Sequence, residues 1–236
     1  MVKSTEINGT GLSEEAICAR IRDSVLEQRL APGTKLTEES LCNVFGVGRT
    51  TVRRAFLLLS RDNIIELEKN KGAVVASPSP ESARQVFEAR ILLETTLLKV
   101  VAEAVTPADI DRLRRHLDEE AAALAGAQIA RWIRLTGEFH ILLAKLSGNA
   151  PMVGFLEQLV FQTSLIIALY GEERTTPNCK GDDHALLVDA LEMGNGAHAE
   201  TILTEHLRSI ADGLNFNSQS SGCDLEAIFA APAPAS

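Results

Sequence analysis

Two prolines within four residues, in Ser77-Pro78-Ser79-Pro80, divide this chain into two unlike parts. Proline fixes φ and lacks an amide proton, so no regular element crosses such a stretch, and the segment stays semi-rigid. Before it, short helices and strands alternate with glycine turns. After it, apolar residues recur at helical spacing as far as residue 216, with no strand pattern.

The upstream part reads element by element. Ser13 caps a helix over 13–29, in which Ile17, Ile21, Val25 and Leu26 form one apolar stripe. Leu30-Ala31-Pro32-Gly33 ends it. A second short helix covers 37–44 behind Thr37, with Leu41, Val44 and Phe45 facing inward. Gly46-Val47-Gly48 makes a tight turn into a third helix, 49–62, whose core face is Val52, Ala55, Phe56 and Leu59. Two β segments, 64–68 and 73–75, then flank the polar turn Lys69-Asn70-Lys71-Gly72. That order predicts a winged helix-turn-helix over 12–76, after an arm at 1–11 and before a linker at 77–80.

Downstream, Phe87, Ile91, Leu98, Val101 and Val105 mark a first long helix. Thr106-Pro107 opens the next. Further helices are expected over 108–125, 128–147, 151–171, 182–193 and 196–215, separated by glycine and proline punctuation. The predicted fold is mostly α: the N-terminal winged helix-turn-helix with a small β-hairpin wing, plus an all-α antiparallel helical bundle over 81–216. Residues 217–236 lose periodicity, end in AAPAPAS and are expected to be a disordered tail.

Composition closes off several classes. No uninterrupted apolar run reaches the roughly 18 residues of a bilayer span, and the N-terminus lacks the apolar stretch of a secretory signal. A cytoplasmic location without membrane contact is the expectation. Cys18, Cys42, Cys179 and Cys223 are scattered and form no CxxC pair, so they are expected as buried small side chains or free thiols. The net charge of −9 argues against nucleic acid, but residues 12–79 hold ten Lys and Arg against nine Asp and Glu, whereas residues 80–236 hold twelve against twenty-two. Four arginines, Arg49, Arg53, Arg54 and Arg61, crowd into 48–61. A local basic face governs attraction to phosphates, so the acidity of the second part is no obstacle.

The third helix is the candidate DNA reader. Arg49 and Arg53 stand one turn apart on the side opposite Val52 and Phe56. Arginine grips guanine O6 and N7 with two hydrogen bonds. Thr50 and Thr51 offer hydroxyls to phosphates at the helix start, and Lys69 and Lys71 extend the contact from the wing. The stretch from Leu30 to Val75, LAPGTKLTEESLCNVFGVGRTTVRRAFLLLSRDNIIELEKNKGAVV, resembles the DNA-binding domain of the GntR family of regulators. The resemblance implies that Arg49 and Arg53 are the principal DNA contacts, with Thr50, Thr51 and Gly72 in support and Arg54 beside them. Three positions depart from the family pattern: Glu39 replaces a DNA-contacting arginine, Thr51 a proline and Arg54 an acidic residue. They leave the operator sequence open.

In the bundle, His140, His184 and His206 each sit on a different predicted helix beside inward apolar positions. Three converging imidazoles make a site for Zn²⁺ or a similar divalent metal with positions left open. The segments GEFHILLAKLSGNAPM and DDHALLVDALEMGNGAHAETILTEHL resemble the C-terminal domain of the FadR-like (FCD) branch of the family. That resemblance implies an effector-binding domain in which three histidines and an acidic residue one turn before the first hold a metal. The three histidines match; the acidic position is Thr136. The metal is then held with water or effector completing the set, held weakly, or not held. Glu138, two residues on, points away on a helix. Arg90 and Glu94, one turn apart, read equally as an intrahelical ion pair or as a cavity-facing clamp on an effector carboxylate; the resemblance implies the arginine. His116 and His198 are expected to be structural or exposed, Trp132 and Asn149 to pack or cap.

The reading favoured is a dimeric regulator that binds a palindromic DNA operator and responds to a small carboxylate through Arg90, Glu94 and Thr136. A metal-dependent hydrolase on the three histidines explains nothing of the first domain and lacks an HExxH motif. A DNA-organising protein that senses nothing leaves the polar groups of the bundle core unexplained.

Overall fold

The computed structural model describes residues 12–69, 72–171, 182–216 and Phe229. The head comprises α1 (Glu14–Leu26), β1 (Lys35–Leu36), α2 (Glu38–Phe45), α3 (Arg49–Arg61), β2 (Ile65–Glu68) and β3 (Gly72–Val75). Ser13 and Thr37 cap α1 and α2 by accepting from Ala16 N and Ser40 N. Gly46 ends α2 in the left-handed region at φ 65°, which glycine adopts without a Cβ clash. Ile17, Ile21, Leu41, Val52, Ala55 and Leu59 close into one core, as the apolar spacing predicts, while Val44 is only half-buried. Cys18 is buried in that core and Cys42 half-buried, both as free thiols; Cys179 and Cys223 lie outside the described residues.

The wing has a third strand that the sequence did not suggest. β1 pairs with β3, Lys35 opposite Val74, and β3 also pairs with β2, all antiparallel in the order β1-β3-β2. A two-residue strand has no alternation to read. Gly72 enables this pairing: it sits at φ 94°, and a Cβ there would lie 2.4 Å from the Leu36 carbonyl oxygen.

The bundle begins one residue before the expected boundary. Pro80 is the first residue of α4 (Pro80–Ala104) and Ser79 is its cap, accepting from Ser82 N. Pro80 therefore starts the helix rather than ending the linker, because its missing amide is one the first turn leaves unused anyway. The linker is also held: Tyr170 Oη donates to the Pro78 carbonyl at 2.8 Å. There follow α5 (Pro107–Ala125), α6 (Ile129–Lys145), α7 (Ala150–Tyr170), α8 (Asp183–Glu192) and α9 (Gly196–Asp212). Thr106 and Asp109 form a reciprocal capping box on α5, and Asn149 caps α7.

By length and composition α7 would pass for a membrane span, although Glu157 and two glutamines interrupt its apolar sequence. It packs against α4, α6 and the head, supplying Val153, Leu156 and Val160 to one cluster and Ile166 and Tyr170 to another. Head and bundle share cores. Leu165 of α7 joins the head cluster, and Leu26 of α1 joins Ile141 of α6 in the bundle. The tail expectation needs correction at one position. Phe229 is buried against the head, edge-on to Phe45 at 5.2 Å between ring centroids. Leu225, Ile228 and Phe229 stand at helical spacing in the sequence, but over a single turn, too short a run to read as an element. The rest of 217–236 and the arm at 1–11 lie outside the described residues.

Candidate DNA interface and candidate metal centre

The start of α3 is exposed and carries no side-chain cap, since Gly48 occupies the N-cap. Its first amide groups therefore remain available to a phosphate. Arg49, Thr50, Arg53 and Arg54 are exposed and Thr51 is half-buried, so the structure places the predicted readers on one end of one helix. They are not equivalent. Arg49 forms no ion pair among the described residues. Arg53 Nε donates to Glu38 Oε1 of α2 at 2.6 Å, which raises the Arg53 pKa above its ordinary value. Arg54 leans the other way, toward Glu14 of α1 at 3.9 Å. Lys69 is exposed at the wing tip, and Lys71 lies outside the described residues. Gly72 is half-buried and serves the β1–β3 approach.

In the bundle, α6, α8 and α9 bring His140, His184 and His206 together. Each has a ring nitrogen within 4.8 Å of the others', and all three are buried. His140 and His206 stack at 5.4 Å between centroids, and Phe139 stacks on His184 at 4.1 Å. Each Nδ1 faces a carboxylate: His140 that of Glu94 at 2.6 Å, His184 that of Glu120 at 3.1 Å, His206 that of Asp183 at 3.1 Å. An ionised carboxylate only accepts, so a ring facing one carries its proton on Nδ1 and keeps the Nε2 lone pair; His184 takes this form when Glu120 is ionised. The Nε2 atoms of His184 and His206 are buried with no hydrogen-bond partner.

The protonation states fit the same picture. Burial pushes His140 down to about 3 despite Glu94, and burial pushes His184 well below its ordinary value. Burial also lowers His206, against the pull of Asp183. All three rings are neutral, the form a metal requires. Burial alone would raise Glu94, but Arg90 and His140 overcome it and hold the carboxyl at about 2. Burial raises Glu120 to about 7, with His116 and His206 pulling against it.

The donor set fits a divalent metal. A tetrahedral zinc site places its nitrogen ligands about 3.4 Å apart, so a contraction of the order of an ångström closes the set. Thr136 does not join it: its hydroxyl donates to the Ile133 carbonyl of its own helix at 2.8 Å. Glu138 pairs with Arg134 on another face. Arg90 and Glu94 do form the intrahelical pair, at 2.5 Å, yet both are buried, and Arg90 Nη2 has no partner. Glu94 is thus a partner of His140 as well. His116 rests on the Leu135 carbonyl at 2.9 Å, and Trp132 packs in the core.

Glu120 and Asp183 went unseen in the sequence. A signal existed for Glu120: Ile110, Leu113 and Leu117 set the inward register of α5, and Glu120 continues it. A carboxylate on an apolar stripe asks for a buried partner.

A helix-turn-helix head with a short wing, set on a helical domain with polar groups converging in its core, is the build of a ligand-responsive transcription regulator. The chain belongs to the GntR family of bacterial regulatory proteins, in the branch with an FCD domain. Residues 13–75 match the family described as "Bacterial regulatory proteins, gntR family", and residues 85–209 match the FCD domain. The chain is 23% identical over 214 residues to the HTH-type transcriptional repressor RspR of Escherichia coli K12, covering 91% of this chain and 94% of that one. It is 26% identical over 219 residues to the HTH-type transcriptional repressor NanR of Cronobacter sakazakii, covering 83% of each. Among solved structures, E. coli McbR/YncC superposes with a TM-score of 0.75 at 20% identity, covering 83% of this chain and 93% of that one. At that identity the likeness speaks for the fold. The family and these relatives are DNA-binding regulators, which leaves the hydrolase alternative without support. The chain regulates transcription and is not an enzyme.

Proposed function

We propose that this regulator binds a palindromic operator as a homodimer, with Arg49 and Arg53 in the major groove, and responds to a small carboxylate bound beside a divalent metal on His140, His184 and His206. The observation that carries the effector half is the set of unpaired polar atoms: Arg90 Nη2, His184 Nε2 and His206 Nε2 are all buried without partners. An unmet buried donor or acceptor costs about 1–3 kcal/mol, so such a set favours a bound group. Zn²⁺ or a similar borderline ion suits three imidazoles, and it supplies a Lewis-acidic position for an anion. Arg90 lies close enough to depress all three histidines electrostatically, so its free N–H stands ready for a carboxylate held there. Thr136 turns its hydroxyl to the Ile133 carbonyl of its own helix and stays out of the ligand set.

Coupling to DNA runs through α6. His140 belongs to the histidine cluster, while its neighbour Ile141 belongs to the buried cluster that also takes in Leu26 of the head. Arg134 of the same helix pairs with Glu27 at 3.4 Å. A ligand that favours one position of α6 thereby biases the head, and the shift in DNA affinity equals its differential affinity for the two states. As a reader of DNA, the protein works in the cytoplasm.

The test is a thermal-shift screen of small carboxylates on the full chain, with and without chelator, followed by operator binding for each hit. A carboxylate that raises the melting temperature only without chelator, and alters operator affinity, supports the reading. Elemental analysis finding no metal, together with melting curves indifferent to chelator, removes the metal from it.

A further inference from the structure

Charge balance at the histidine cluster points to two residues with a role of their own. A divalent cation on three neutral imidazoles brings two positive charges into a closed core, where uncompensated charge is costly. Thr136 supplies none of the compensation, being neutral and bonded to Ile133. The charge of Glu94 is already matched by the Arg90 guanidinium at 2.5 Å. Two carboxylates remain. Glu120 accepts from His184 Nδ1 through Oε2 at 3.1 Å, and its Oε1 is buried without a hydrogen bond. The only cationic candidate near Oε1 among the described residues, His116 Nε2 at 3.4 Å, is itself engaged at the Leu135 carbonyl. Asp183 accepts from His206 Nδ1 at 3.1 Å.

We propose that Glu120 and Asp183 are positioning residues that take over the work of the acidic ligand absent at position 136. They fix His184 and His206 with Nε2 turned inward, and from one hydrogen bond further out they present the two carboxyl groups against which a divalent cation's charge is balanced. The inference rests on the metal reading given above. It adds that this site chooses a doubly charged ion through its outer carboxylates and leaves the inner position beside Thr136 open. Partners of this kind hold a metal-ligating imidazole in one tautomer and raise its basicity, and their loss lowers metal affinity roughly 10- to 100-fold.

The experiment measures Zn²⁺ affinity of the full chain by competition with a chromogenic chelator, for wild type, Glu120→Gln, Asp183→Asn and Glu120→Gln/Thr136→Asp. Glutamine and asparagine keep the acceptor oxygen and remove the charge. Co²⁺ absorption at saturation reports whether the inner three-nitrogen set is unchanged, and the melting temperature of the metal-free protein reports folding. The expected result is one Zn²⁺ per wild-type chain and a roughly 10- to 100-fold loss in each single variant, with the Co²⁺ spectrum and metal-free melting temperature retained. Restoring a carboxylate at 136 recovers the affinity lost in Glu120→Gln. Wild-type affinity in both single variants overturns the proposal while the metal reading stands, as does failure of Thr136→Asp to rescue. A wild-type protein that takes up no Zn²⁺ overturns both.

Discussion

Replacing Glu94 with glutamine tests the buried charge network of the bundle directly. The Glu94 carboxylate lies between Arg90 Nε at 2.5 Å and His140 Nδ1 at 2.6 Å, and Arg90 and Glu94 are each 3% exposed. Glutamine keeps the shape and one acceptor oxygen, so it still receives His140 Nδ1–H. It leaves the Arg90 guanidinium in a dry core with no counter-charge. Removing one partner of such a pair costs about 3–5 kcal/mol, because the remaining charge stays buried. For a chain of this size each kilocalorie moves the melting temperature by about 2–4 °C, so the expected drop is roughly 6–20 °C. The double variant Arg90→Met/Glu94→Gln removes the orphaned charge along with its cause and is expected to regain most of the loss. Differential scanning calorimetry of the metal-free full chain measures both. A drop below about 1 kcal/mol in Glu94→Gln, or a double variant no better than the single, refutes the claim that these two groups hold each other ionised in the core.

Other perturbations separate head from bundle. Arg49→Ala and Arg53→Ala are each expected to weaken operator binding by roughly 5- to 150-fold, the worth of a two-pronged base contact; fluorescence anisotropy with a cognate promoter fragment checks it, and unchanged affinity in the double variant sinks the DNA reading. Gly72→Ala puts a Cβ 2.4 Å from the Leu36 carbonyl at a φ of 94°, so it should detach β1 from the wing and lower operator affinity while Zn²⁺ uptake stays put. Leu26→Ala removes a side chain buried in the cluster that Ile141 of α6 also joins, at a cost of about 2–5 kcal/mol, and should blunt the effect of any effector on DNA affinity more than it alters effector binding itself. Stability of the metal-free protein should also follow pH in two windows. His140 takes a proton near 6.5 when unfolded but only near 3 when folded, so its contribution is complete above pH 6.5 and drains away toward pH 3. Glu120 acts oppositely: its folded value near 7 exceeds the ordinary 4.5, so its contribution is complete below pH 4.5 and is lost as pH rises through 7. Melting temperatures taken from pH 4 to 8 should therefore peak inside the range rather than rise or fall throughout.

What the sequence disclosed and what it hid divide along physical lines. Helices announce themselves through spacing, caps and breakers, so Ser13, Thr37, Thr106 and Asn149 marked real starts. The histidines were legible because each sat next to an inward apolar residue, and a polar group in that register needs a reason. Their carboxylate partners come from elsewhere in the chain, Glu94 and Glu120 lying 46 and 64 residues from the histidines they serve. Local pattern carries no record of such pairings. Strand β1, two residues long, and Phe229, preceded only by Leu225 and Ile228, lacked the sustained repetition on which periodicity depends. Arg53 and Arg54 looked alike on paper, yet α2 claims one through Glu38 and α1 draws the other through Glu14, and only the packing of three helices decides that.

The single helix α6 explains how two such different halves can act as one molecule. Successive residues of a helix point about 100° apart, so neighbouring positions serve different surfaces. His140 turns its ring into the cluster of histidines; Ile141 is buried in the cluster that takes in Leu26 at the end of α1. Gly137, one turn earlier, has no side chain, and a Cβ there would come within 3.3 Å of Val160 of α7 and 4.0 Å of Leu26. That bare position lets the head and α7 approach α6 closely beside the candidate metal centre. Packed interiors transmit small displacements because they hold no slack. A shift of α6 on closing the three nitrogens about an ion would therefore reach α1, and α1 packs on α3, the candidate reading helix.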